Sequence, residues 1–135
     1  MPTRLETFRN MVAKNPSNPL AHFGLANEAM KEGIWEEARV HYEAYLAAQD
    51  DEGNAYGRLA EAYERLGRND DARAALHRGI EAATRFGHPG MAQELELRLG
   101  EQSSATSEQV RATERLLDPL DEAGRRRLVA AMASI

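Results

Sequence analysis

The sequence predicts an all-α fold: a short solenoid of antiparallel helix pairs with a C-terminal helical extension. Three observations lead there. The 135 residues are dominated by Ala, Leu, Glu and Arg, all of which favour helix. The chain matches itself when displaced by one fixed step, so that Leu25 falls on Leu59, Ala26 on Ala60, Gly33 on Gly67 and Ala38 on Ala72. Glycines and acids also recur where helices would end and begin. Self-similarity at this period marks stacked repeats, none of which can bury its apolar face alone.

The apolar positions obey the same step, with Tyr42 on Leu76 and Leu46 on Ile80. Stepping backwards places Phe8 under Tyr42 and Val12 under Leu46, so the chain enters halfway through a unit, over residues 3–18. The first full unit, 19–52, reads as helices at 19–31 and 35–48. The second, 53–86, reads as helices at 52–66 and 69–85. Gly33 and Gly67 stand just past the first helix of each unit, where a left-handed residue closes a helix. Glu36-Glu37 and Asp70-Asp71 suit the positive end of the second helices, and Asn69 is the expected N-cap of the later one. Gly87-His88-Pro89-Gly90 reads as a turn. Met91, Leu95 and Leu99 then share one face of a capping helix over 89–99. These segments make a domain of residues 1–99.

The second unit spells Tyr56-x2-Leu59-Ala60-x2-Tyr63, then Ala72-x3-Leu76; the first spells His22-x2-Leu25-Ala26-x2-Ala29, then Ala38-x3-Tyr42. This resembles the tetratricopeptide-repeat family, whose 34-residue unit follows W-x2-L-G-x2-Y, A-x3-F and P. The resemblance covers residues 3–99. Ala replaces the family's Gly twice, Ala29 stands where Tyr is usual, and Asp50 replaces the closing Pro. The substitutions at the small positions keep small residues small. Ala26, Ala38, Ala60 and Ala72 are thus expected to let paired helices approach closely.

Residues 100–107 form a polar linker, and the tail 108–135 reads as two amphipathic helices separated at Pro119, the second capped by Asp121. Its segment Leu116–Val129 is similar to the C-terminal dimerisation helices of MarR-type regulators. The winged helix that reads DNA in that family has no counterpart here. Leu116, Leu117, Leu128, Val129 and Met132 are the expected self-association residues. They could extend the solenoid, fill its groove, dock on a second protomer, or wait for a partner.

The family resemblance implies a protein-binding module, with peptide or helix ligands lying on the concave face formed by the first helices. Here that face is expected to present Phe23, Asn27, Met30 and Lys31 from one unit, and Asn54, Arg58, Glu61 and Arg65 from the next. Arg58 and Arg65 would meet acids, and Phe23 and Met30 an apolar anchor. The structural alternative for the two arginines is pairing with Glu61 and other acids one turn away. Asn27 and Arg58 match two places of the carboxylate clamp found in some members, but Phe23 stands where the clamp's first Lys would be. Gly24 and Gly57 lie near the face; either a ligand approaches the backbone there, or the glycines ease packing between neighbouring helices.

Other chemistry has little footing. A net charge of −5 with interspersed signs offers no basic face for nucleic acid, and Arg125–Arg127 read as a solvated helix face. The absence of cysteine removes thiolate nucleophiles and the common zinc sites. His22, His41, His77 and His88 lack metal-ligand spacing, with His22 expected as packing. Trp35 is expected to pack at the turn before the second helix. No catalytic constellation and no cofactor site can be named, so a non-enzymatic protein is expected. The charged N-terminus and the short apolar run Leu128–Ala133 give no reason to expect a membrane partner; a cytoplasmic location is inferred.

Overall fold

The computed structural model describes residues 1–102. The chain divides into two compact units, Met1–Leu99 and Gly100–Ile135. The expectations for the tail, including its two helices, its self-association residues and its MarR-like segment, lie outside the described residues.

Local chemistry sets the ends of the helices. Thr3 opens α1 (Arg4–Lys14) with a capping box: its hydroxyl accepts from the Glu6 N–H at 3.1 Å, and its own N–H donates to the Glu6 carboxylate at 3.3 Å. The Asn18 side chain caps α2 (Pro19–Lys31) by accepting from the Leu20 N–H, and Pro19 occupies the first position, where its missing N–H costs nothing. Gly33, at φ 72°, ends this helix, and the Ile34 N–H returns to the Ala29 carbonyl at 2.9 Å. The same closure recurs at Gly67 and Gly87, with φ 74° and 76° and return bonds of 2.8 Å to Tyr63 and Ala83. Three identical stops at left-handed glycines give the chain its repeat.

The second helices, α3 (Trp35–Ala48) and α5 (Asn69–Arg85), begin without a side-chain cap and carry their acids in the first turn. Asn69 is therefore not the N-cap expected of it. The turn closed by Gly67 delivers Arg68 to the cap position, and Asn69 is already helical. α4 (Asn54–Arg65) starts two residues later than expected because Asp51 intervenes. Buried Asp51 accepts from the N–H groups of Gly53 and Ala55 at 2.9 and 3.0 Å, and from the Tyr45 hydroxyl at 3.1 Å. It fastens the end of α3 to the start of α4 without being the formal cap residue. A sixth helix, α6, begins at residue 89 and continues through 102. The first residues of the expected linker are thus helical, since Glu101 and Gln102 extend a helix readily.

Within the first unit, α1 through α5 pack successively, each on the next. The four small positions, Ala26, Ala38, Ala60 and Ala72, are all fully buried, as close helix pairing requires. Leu25, Tyr42, Leu59 and Leu76 are the largest side chains sealed between layers. Leu95 brings α6 into the same core, with Met91 and Leu99 packed partly against it. The described residues are all helix and turn, arranged as a short α-solenoid. No helix among them is long and apolar enough to cross a membrane.

Candidate functional site

The face shared by the first helices is assembled by bonds that cross from one repeat to the next. Tyr42 is wholly buried, and its hydroxyl needs a partner. It donates to Asn27 Oδ1 at 2.5 Å, and Arg58 Nη1 donates to the same oxygen at 2.8 Å. One amide oxygen thus joins α2, α3 and α4. Burial pushes the Tyr42 phenol above its usual pKa, with Arg58 opposing the shift. The Arg58 guanidinium also lies 5.9 Å from the Phe23 ring centre, within cation–π range. Phe23 itself rests on Tyr42 and Tyr45, at centroid distances of 6.1 and 4.8 Å.

The structure therefore brings Phe23, Asn27 and Arg58 together, but as a built cluster rather than as free anchors. Met30 packs partly against the core. Lys31 is exposed and holds the buried Glu28 at 3.2 Å, which Arg4 of α1 also reaches at 3.1 Å. Arg65 lies over the Trp35 ring at 5.2 Å, so both belong to the contact between α4 and the start of α3. Neither Arg58 nor Arg65 pairs with an acid one turn away; each is held by an aromatic ring on another helix, and Arg58 also by the Asn27 amide.

The second half of the face is a cleft between α4 and α6, which the sequence did not reveal. Asn54, Arg58 and Glu61 line it from α4, and Met91, Glu94, Leu95 and Arg98 from α6. Its volume is 140 Å³. Arg98 pins the two helices together: Nη1 donates to the Gly57 carbonyl at 3.0 Å, and Nη2 meets the Glu64 carboxylate at 3.2 Å. The Met91–Leu95–Leu99 stripe is the one sequence signal that points here, and it reads as a cap because α6 lacks the repeat's small residues.

The glycines near the face are explained by the chain's own packing. A Cβ at Gly24 would stand 2.2 Å from the Phe8 ring, and one at Gly57 would stand 3.1–3.2 Å from Arg98 and Leu95. Close approach is real at both positions, but the neighbour is the adjoining helix. Gly79 of α5 does the same for Leu95.

The histidines form one pair. His22 and His41 stack at 5.1 Å with Nδ1 atoms 2.8 Å apart, while His22 Nε2 lies 2.6 Å from the Pro16 carbonyl. A carbonyl only accepts, so His22 Nε2 carries a proton, and with both rings neutral His41 Nδ1 donates to His22 Nδ1. Burial, then the charge of His22, holds His41 below its usual pKa. Among the described residues, no group of three or more His, Cys, Asp or Glu could hold a metal ion.

Residues 29–86, from within α2 to just past α5, match the family described as Tetratricopeptide repeat. No curated protein and no solved structure matches the chain. Repeats of this family generally mediate protein–protein interaction and are typically non-enzymatic. The match over residues 29–86 supports the tetratricopeptide-repeat reading of the repeat.

Proposed function

We propose that the chain is a non-enzymatic interaction module that binds a peptide or protein helix along the face made by α2, α4 and α6. The observation that supports this reading is the cleft between α4 and α6. It continues the surface that begins at Phe23 and Asn27, and its helices are fixed in place by Arg58 and Arg98. A surface whose side chains are held by cross-helix bonds is preorganised, so a ligand need not pay to order it. The exposed Asn54 stands at this cleft, its side chain without a hydrogen bond among the described residues, and can be enlarged without breaking the fold.

The test compares the partners captured by wild type, by Asn54→Trp, and by the control Arg73→Ala on α5. Loss of partners with Asn54→Trp alone supports the assignment. Identical partner sets for all three proteins would exclude this face.

A further inference from the structure

The cations and anions of this face are in different states. Lys31 is spent on Glu28, Arg58 on Asn27 and Phe23, Arg65 on Trp35, and Arg98 on the Gly57 carbonyl and Glu64. By contrast, Glu61 and Glu94 line the α4–α6 cleft with no hydrogen bond or ion pair among the described residues. An acidic ligand group in this cleft would face two carboxylates beside arginines already bonded to Asn27, the Gly57 carbonyl and Glu64. A basic group finds both carboxylates open.

The cleft has a second property. Its wall includes Met91 and Leu95 beside the two carboxylates. An apolar wall beside two carboxylates fits a long side chain with a hydrocarbon stem and a charged head. At 140 Å³, the space is smaller than the roughly 300–1,000 Å³ of small-molecule pockets, and it suits a single side chain.

We infer that the bound segment places a lysine or arginine side chain in the cleft between α4 and α6, with its stem on Met91 and Leu95 and its head between Glu61 and Glu94. This deepens the proposed function and rests on it. Charge complementarity of this kind sets orientation and partner choice more than raw affinity.

Capped pentapeptides, acetyl-Ala-Leu-Xaa-Leu-Ala-amide with Lys, Arg, Ala or Glu at the centre, provide the probe. The full chain is titrated with each at low salt while backbone amide shifts are followed by NMR. The Lys and Arg peptides are expected to move the signals of Gly57, Glu61 and Glu94 at lower concentration than the Ala and Glu peptides. Glu61→Gln and Glu94→Gln, whose side chains make no hydrogen bond or ion pair among the described residues, should each weaken the Lys peptide by about 2- to 5-fold. A Glu peptide that binds as well as the Lys peptide overturns the charge assignment and leaves the face intact. Unchanged Lys-peptide affinity in the double Gln variant overturns the role of these carboxylates. If no peptide of any charge moves these signals, the face reading fails, and this inference fails with it.

Discussion

Replacing Gly24 with alanine sets two effects of known sign against each other. Alanine inside a helix is favoured over glycine by about 1 kcal/mol, so the change stabilises α2 when nothing touches the new methyl. Here the methyl would stand 2.2, 2.6 and 2.8 Å from three carbons of the Phe8 ring. Carbon–carbon contacts settle at about 3.5–4.0 Å, so the ring must retreat by more than 1 Å. Phe8 belongs to α1, which packs on α2 and has no fully buried residue of its own. Overpacking of this kind costs about 1–3 kcal/mol, which outweighs the propensity gain. Gly24→Ala should therefore destabilise by about 0–2 kcal/mol in urea denaturation followed by circular dichroism. The decisive measurement is the same substitution in a Phe8→Ala background. With the ring gone only the propensity gain survives, so the effect should reverse to a stabilisation of about 1 kcal/mol. An equal loss in both backgrounds would refute the packing account and restore some other reason for the glycine.

Other substitutions test other joints. Leu95→Ala removes the core contact of α6, a 4% exposed side chain, and should cost about 2–5 kcal/mol in the same assay. Asp51→Ala leaves the Gly53 and Ala55 N–H groups and the Tyr45 hydroxyl without their acceptor. It should cost about 2 kcal/mol, whereas the same change at exposed Asp70 should fall within about 0.5 kcal/mol of zero. Tyr63 donates to the Glu43 carboxylate, and burial with that bond pushes its phenol up to about 12. Spectrophotometric titration should find Tyr63 ionising late, alongside Tyr42 and Tyr45, whose phenols burial also raises, and Glu43→Gln should bring the Tyr63 step down. His41 has a folded pKa below its unfolded value, so the native state binds fewer protons and stability is greatest when the ring is neutral. The urea midpoint should fall as pH drops from 7.5 to 5. His41→Gln should flatten that slope, whereas Glu37, which Arg9 holds below the usual carboxylate range, adds its own loss of stability only at lower pH, as the carboxylates protonate.

The helical frame was legible because its signals are local and repeated. Gly33 and Gly67 announce their closures by identity, since glycine alone enters the left-handed region cheaply. The buried alanines announce close helix pairing by size. Asp51 was not legible. It lies among Asp50, Asp51 and Glu52, and nothing in that run says which carboxylate turns inward to meet Tyr45. The site was harder still, for a reason that Arg58 shows. Its place on the face follows from helical periodicity, but its partner, the Asn27 oxygen, lies on another repeat and is shared with a buried tyrosine. Periodicity reports which side a residue faces and is silent on what already satisfies it.

That silence matters for function. Read from sequence, the arginines of the face are the attractive groups and an acidic ligand is the natural complement. In the folded chain Arg58 and Arg65 fasten α4 to α2 and α3, and Arg98, which the sequence reading did not single out, fastens α6 to α4. A cation used in this way has its geometry set by an internal partner, and pulling it onto a ligand would loosen the surface that the ligand needs. The available charge then belongs to Glu61 and Glu94, which make no hydrogen bond or ion pair among the described residues. Substituting Arg58 or Arg98 should accordingly disturb stability and binding together, while substituting Glu61 or Glu94 should disturb binding alone. That separation is what distinguishes a residue that builds the face from one that reads the partner.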